Sequence, residues 1–68
     1  MKKEQIRINA EKIWKKLQHN LTDTNINKLK RECKLNMIEL SIALGWLAKE
    51  EKITFVVYDK ATYVFPVE

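Results

Sequence analysis

The spacing of apolar residues changes once along this 68-residue chain, and that change limits the folds open to it. Up to about residue 50, apolar side chains recur every three or four positions, which is the repeat of a helix with one buried face. After residue 52, the runs 53–58 and 62–65 are rich in β-branched and aromatic residues, which favour strands. The sequence therefore predicts helices followed by a hairpin, an α+β order.

Two helices are predicted in the first half of the chain. The first covers residues 4–19, and a short link at 21–23 follows it. The second covers about 25–33, with Thr24 expected as its N-cap, because a threonine hydroxyl accepts a hydrogen bond from the first turn. The apolar residues expected to face the core are Ile6, Ala10, Ile13, Trp14 and Leu17 on the first helix, and Ile26, Leu29 and Cys33 on the second.

A third helix is predicted over about 37–50, because Asn36 and Glu39 have the spacing of a capping box. The residues expected on its core face are Leu40, Ala43, Leu44 and Leu47. Residues 59–61 are expected to form the hairpin turn, although no glycine there supplies the positive φ that the tightest turns favour. Pro66 has no N–H group and is expected to end the ladder.

Three helices, a short connection between the second and third, and a terminal hairpin form the order of a winged helix-turn-helix domain. We expect a single domain over residues 1–68, since a chain of this length has room for one core. A core of this size rarely supplies more than about 3–5 kcal/mol of stability. A partner or a second copy of the chain is therefore a plausible source of further stability.

A stretch of the third helix and the following strand, residues 43–53, has the sequence ALGWLAKEEKI. This stretch resembles the small stand-alone winged helix-turn-helix proteins of unknown function found mainly in Bacteroides-like bacteria and some archaea. Ile13, Trp14 and Leu17 on the first helix, and the leucines at 29 and 35, fit the same pattern, so the resemblance covers nearly the whole chain. It implies the same fold and a role with nucleic acids.

Composition argues against several classes of protein. One cysteine, Cys33, allows no intramolecular disulfide, and together with the one histidine, His19, it is too few for an ordinary zinc site. That histidine has no evident catalytic partners, and one glycine cannot build a phosphate-binding loop. No apolar run reaches the roughly 20 residues that span a bilayer, and no signal peptide is evident. We expect a cytoplasmic, non-enzymatic protein with no cofactor, metal, membrane or small-molecule substrate.

Charge is distributed unevenly along the chain. Residues 1–34 carry ten basic and four acidic side chains, whereas residues 35–68 carry three basic and five acidic ones. Cationic helices bind the phosphate backbone of nucleic acids without reading the base sequence. The expected contacts to double-stranded DNA are Lys28, Lys30, Arg31, Lys34 and Lys60 for phosphates, and Asn36 and Ser41 for base edges.

The third helix reads bases in winged-helix DNA readers, yet here it offers few groups suited to that task. Its outward stripe is expected to hold Ile38, Ile42, Gly45 and Lys49, and no basic side chain occurs over 36–48. A glycine inside a helix costs about 1 kcal/mol relative to alanine, which indicates close approach of another backbone or ring. A homodimer is therefore expected through Ile38, Ile42, Gly45 and Trp46. A protein-interaction module that binds no DNA is the alternative function.

Simpler roles are open to several of these residues. Trp46 is as compatible with a core position under the hairpin, against Phe55 or Phe65, as with an interface. The basic residues of the first two helices are also compatible with an ordinary solvated face. Cys33 lies on an apolar helix face and is expected to be a small buried hydrophobe.

Overall fold

The structure is a computed structural model that describes residues 1–19 and 24–67. It contains three helices followed by two antiparallel strands: α1 (Lys3–His19), α2 (Ile26–Cys33), α3 (Met37–Lys49), β1 (Ile53–Tyr58) and β2 (Ala61–Pro66). This order confirms the predicted α+β winged helix-turn-helix fold. The link expected at 21–23 lies outside the described residues. Within the described ranges, no helix is both long and apolar enough to cross a membrane.

A single cluster of buried apolar side chains joins the helices to the hairpin. Its members are Ala10, Ile13, Leu17, Leu29, Cys33, Leu35, Leu40, Ala43, Leu44, Leu47, Ile53 and Val64. The predicted core face of α3 is confirmed, because all four of its residues are buried. On α1, Asn9 is also buried although it is polar, and its Oδ1 accepts a hydrogen bond from Gln5 Nε2 at 3.1 Å. A side-chain amide can thus share the buried face of α1 with aliphatic residues.

The start of α2 differs from the prediction. Its N-cap is Asn25, whose Oδ1 accepts a hydrogen bond from the N–H of Asn27 at 2.8 Å. The expected cap, Thr24, is buried, and its carbonyl accepts a hydrogen bond from the N–H of Val64 at 3.0 Å. The adjoining bridge between Asn25 and Tyr63 places this short segment against the outer edge of β2. Thr24 and Asn25 both have side chains that suit an N-cap. The prediction of Thr24 was wrong because the backbone of Thr24 bonds to β2, and Asn25 then stands at the cap position.

The turn between α2 and α3 is held by hydrogen bonds at both of its ends. At the end of α2, Lys34 takes a left-handed conformation with φ of 57°, and its N–H donates to the carbonyl of Arg31. At the start of α3, the predicted capping box is confirmed. Asn36 Oδ1 accepts from the N–H of Glu39 at 2.8 Å, and Glu39 Oε1 accepts from the N–H of Asn36 at 3.0 Å. These contacts orient the two helices of the helix-turn-helix.

The hairpin turn is a two-residue turn at Asp59 and Lys60. Their φ angles are 51° and 65°, the left-handed values that a type I′ turn requires at both central positions. The turn is thus closed by the pair of Tyr58 with Ala61, one residue earlier than the expected end of the turn. Pro66 is the last residue of β2 and lies opposite Ile53. The expectation that Pro66 ends the ladder was wrong, because the N–H of Val67 still donates to the carbonyl of Lys52 at 2.8 Å and the nitrogen of Pro66 faces away from β1.

Replacement of the capping residue tests the contribution of the α3 capping box. We expect Asn36→Ala to lower the free energy of unfolding by about 1 kcal/mol, because the N–H of Glu39 loses its acceptor. Urea denaturation followed by circular dichroism measures the change. Glu39→Gln is the matched control, since glutamine keeps the box and is expected to have little effect. An unchanged midpoint for Asn36→Ala would contradict the prediction.

Candidate nucleic-acid interface

A basic cleft lies between α1 and α2, with a volume of about 600 Å³. Most of its lining side chains are basic: the cleft is lined by Lys12, Lys15, Lys16, His19, Glu32, Cys33 and Lys34. The residues of α1 are three or four positions apart, so the helical repeat brings them onto one face. Lys34 joins them from the left-handed C-cap of α2. The cleft therefore combines cations from two separate segments of the chain.

The acid that lines this cleft, Glu32, is shared between two lysines. Lys16 Nζ and Lys28 Nζ each lie 3.8 Å from a carboxylate oxygen of Glu32. One carboxylate cannot neutralise both ammonium groups, and the other three lysines of the cleft add to the excess of positive charge. Such partly exposed ion pairs contribute about 0–1 kcal/mol each, so an incoming anion can compete for either lysine.

Part of this positive charge is balanced by the C-terminal ends of two helices. Both α1 and α2 end at the cleft, and the carbonyls of a helix C-terminus carry a partial negative charge of about one half. Basic side chains in a last turn stabilise such an end. The four lysine charges exceed these two partial charges and the Glu32 carboxylate together, so a surplus remains to attract an external anion.

The phosphate contacts expected from the sequence do not all lie together. Lys34 lines the cleft, and Lys28 reaches its edge through Glu32. Lys30 is half-buried, whereas Arg31 and Lys60 are exposed, and none of these three lines the cleft. The cleft residues that sequence reasoning did not select are Lys12, Lys15, Lys16 and His19. The excess of basic residues over 1–34 was the signal that could have pointed to them.

The outward face of α3 is largely apolar. Ile38 is 69% exposed and Ile42 is 38% exposed, with Ser41 and Gly45 also at the surface. Asn36 is exposed too, but its side-chain oxygen is engaged by the capping box. Asn36 and Ser41 are the two side chains expected to contact base edges. Of these, Ser41 is the one whose side-chain oxygen takes no part in the cap.

Gly45 has no packing requirement within the described chain. Apart from its two chain neighbours and the backbone of α3 itself, a methyl group built at its Cα would meet no atom within 4 Å, and its φ is not in the left-handed region. An alanine would therefore fit here and favour the helix.

Trp46 borders the apolar face of α3 and is partly buried against the core. It lines a depression of about 170 Å³ together with Trp14 of α1, and Lys52 lies at the same depression. The Nζ of Lys52 is 5.9 Å from the centroid of the Trp14 ring, within the range of a cation–π contact. Part of the Trp46 ring therefore packs towards α1, while its remaining surface stays accessible.

Comparison with known proteins shows which family this chain belongs to. Residues 1–66 match the winged helix-turn-helix domain family DUF2582. The chain belongs to this family. The DUF2582 chain is also similar to the solution NMR structure of protein BT2368 from Bacteroides thetaiotaomicron, with a TM-score of 0.83 and 28% sequence identity over 97% of this chain and 79% of that one. No curated protein matches the chain.

These comparisons confirm the resemblance to a small winged-helix family. The winged helix-turn-helix is typically a non-enzymatic, DNA-binding fold, and it supports a nucleic-acid-binding or regulatory role at the level of the DUF2582 family. Among residues 1–19 and 24–67, no group of three or more histidine, cysteine, aspartate or glutamate side chains could hold a metal ion.

Cys33 forms part of the floor of the cleft and is 6% exposed. Burial raises the pKa of its thiol above the ordinary value, and Glu32 raises it further, although Lys16 and Lys12 act in the opposite direction. At neutral pH the side chain is therefore a neutral thiol with little nucleophilic character.

We expect Cys33 to react with a thiol-modifying reagent more slowly in the folded DUF2582 domain than in the urea-unfolded chain at the same pH. The raised pKa lowers the fraction of thiolate, and burial limits access to the sulfur. Absorbance of the released thiol measures the rate, and a rise in pH should accelerate the folded-state reaction as thiolate forms. A folded-state rate equal to the unfolded one would contradict this prediction.

Proposed function

We propose that this DUF2582 domain binds double-stranded DNA mainly through the phosphate backbone, with modest sequence specificity. The observation that supports it is the surplus of lysine charge in the α1–α2 cleft. Binding releases the counterions condensed around the phosphates, which supplies affinity that does not depend on the base sequence. Arg31 and Lys60, both exposed, extend the set of cations available for further phosphates.

Low specificity follows from the composition of α3. Bases are read through hydrogen bonds from a helix in the major groove, most often from arginine, lysine, asparagine or glutamine. The exposed isoleucines of α3 offer none, and Ser41 is left as the principal group for a base edge. We therefore expect affinities for different duplexes of equal length to lie close together.

Salt dependence tests the proposed mode of binding. A mixed-sequence duplex is titrated with the protein at several salt concentrations, and fluorescence anisotropy gives the association constant. If the four cleft lysines, Arg31 and Lys60 all contact phosphates, the six contacts would give a slope of about −5.4 for log K against log salt concentration, at about −0.9 per contact. Absence of binding at low salt would overturn the proposed function.

Charge reversal locates the phosphate-binding surface. We expect Lys15→Glu to weaken DNA binding about tenfold or more and to make the salt slope less steep by about 1–2, because a cleft cation becomes an anion. Lys2→Glu changes net charge equally, lies outside the cleft, and should have a much smaller effect. Arg31→Glu tests the exposed side of α2 in the same assay. Equal losses for Lys15→Glu and Lys2→Glu would show that net charge, and not the cleft, governs binding.

A second candidate function is protein interaction through α3, in a homodimer that binds no DNA. It is favoured by the 69% exposure of Ile38 and by the lack of any packing reason for Gly45 within the described chain. In this proposal the basic helices are solvated surfaces, and Ile42 and Trp46 complete the contact face.

Gly45→Ala separates the two candidates. If α3 is free, the substitution should raise the free energy of unfolding by about 1 kcal/mol, because alanine favours the helix and fits the available space. If α3 packs closely against a second copy, the added methyl group should instead weaken the dimer. Thermal unfolding and sedimentation equilibrium, measured on the same samples, distinguish the two results.

A further inference from the structure

The outer edge of strand β1 is open within the described part of the chain. On one side β1 pairs with β2, and β2 is covered on its far side by the bridge between Asn25 and Tyr63. No described segment pairs with the other side of β1. The sheet therefore has one protected edge and one open edge.

The hydrogen-bond pattern shows which groups of β1 face this open edge. The N–H of Val64 donates to the carbonyl of Thr24, so it points away from β1. Paired residues of an antiparallel ladder point their backbone groups the same way with respect to the partner, either both inward or both outward. Phe55, which is opposite Val64, thus directs its N–H and C=O away from β2, and by alternation Ile53 and Val57 do so too.

The side chains of β1 lack the usual protection against strand pairing. Edge strands are normally protected by charge, proline, bulges or short length. Residues 53–58 have the sequence ITFVVY, with no charged residue, proline or glycine. Val57 is 72% exposed and Tyr58 is 73% exposed, whereas Phe55 and Val56 are nearly half exposed. Such a strand is suited to pairing with another strand.

The exposed area is appropriate for a small interface. Taking about 150–250 Å² for an aromatic side chain, residues 55–58 leave on the order of 400–500 Å² accessible. The backbone of the strand and the adjacent Phe65, 37% exposed, add to this area. A standard interface buries about 800 Å² per partner, so pairing at this edge fits a dimer at the smaller and weaker end of the range.

We propose that two copies of this chain pair through antiparallel β1 strands, across a two-fold axis at Phe55. Ile53 of each copy then lies opposite Val57 of the other, and every outward N–H and C=O of these three residues gains a partner. Phe55 meets its own counterpart at the axis. The two hairpins form one continuous sheet of four strands.

The charges that flank β1 favour a second copy over an unrelated strand. Glu51 and Lys52 precede the strand, and Asp59 and Lys60 follow it. In this register Lys60 of one copy lies opposite Glu50 of the other and Lys52 lies one position from Asp59, whereas Glu51 lies opposite Asp59. The two opposite-charge contacts outnumber the like-charge one, and the two-fold axis repeats each of them, so the flanks are weakly complementary to one another.

This arrangement does not depend on the proposed DNA binding, and it places the second copy elsewhere than the α3 homodimer considered above. The α3 face offers mainly apolar side chains, whereas the β1 edge offers apolar side chains together with backbone groups that no described segment pairs. The α1–α2 cleft is lined by neither β1 nor α3, so each copy in the dimer keeps its cleft accessible.

Two matched lysine substitutions test the position of the dimer contact. Val57→Lys and Ile38→Lys replace side chains of similar exposure, 72% and 69%, and change the net charge equally. Sedimentation equilibrium without DNA, from micromolar to millimolar concentration, should show a wild-type dimer. Val57→Lys should raise the dissociation constant about tenfold or more, whereas Ile38→Lys should leave it nearly unchanged. Circular dichroism melting of each variant confirms that it is folded.

Other outcomes would overturn the proposal. A wild-type protein that is monomeric at millimolar concentration would exclude the contact, and dissociation by Ile38→Lys alone would place the dimer at α3. Equal effects of both variants, or no effect of either, would also contradict pairing at β1. None of these outcomes bears on DNA binding, which is measured separately.

Amide hydrogen exchange supplies a second readout. In the dimer, the outward N–H groups of Phe55 and Val57 should exchange slowly and become faster on dilution. The N–H of Val56 faces β2 in both states and serves as the internal control, with protection that should depend much less on concentration. Fast exchange of Phe55 and Val57 at concentrations where the dimer is populated would overturn the proposal.

Discussion

Packing of α3 against α1 is the constraint on which the rest of this structure depends. Burial of Leu40, Ala43, Leu44 and Leu47 fixes the rotation of α3 about its own axis. A helix of 13 residues with that face buried must turn Ile38 and Ile42 towards solvent, and it can present few polar groups there. The core therefore decides that positions 38 and 42 face outward, and because both are isoleucine, this face offers few groups that could hydrogen-bond to bases.

The same arrangement concentrates cations away from α3. The basic face of α1 is not needed for the core, so its lysines remain at the surface and meet Lys34 across the cleft. The left-handed conformation of Lys34 ends α2 at this point, which explains why a residue of the turn contributes to a site on α1. The surface proposed to bind DNA is thus assembled from helices other than the one that usually reads it.

Much of this fold could be predicted from the sequence, because the local capping residues and the spacing of the buried apolar residues indicate the same helices. The core stripe of α3 and the Asn36–Glu39 box depend on residues three or four positions apart, and the structure contains both. Errors arose where the outcome depends on distant residues. Thr24 is drawn into the sheet by Val64, forty positions later in the chain, so no local signal distinguishes it from Asn25 as a cap.

The cleft shows the same limit for functional residues. Charge counting indicated that the first half of the chain is cationic, but the grouping of Lys12, Lys15 and Lys16 with Lys34 depends on how α1 crosses α2. The crossing angle between α1 and α2 cannot be derived from the spacing of residues within one helix. Burial of Asn9 is similar, since its neighbours across the core decide whether an amide at that position meets water.

The hairpin turn at Asp59 and Lys60 has a consequence for the order in which the chain assembles. Both residues hold left-handed conformations that cost an ordinary L-residue about 1–2 kcal/mol, and a two-stranded hairpin alone is marginal in water. The turn therefore does not nucleate the strands by itself. Docking of Ile53 and Val64 onto the finished helical core must supply the compensating energy. We therefore expect the wing to form after the helical core and to open before it.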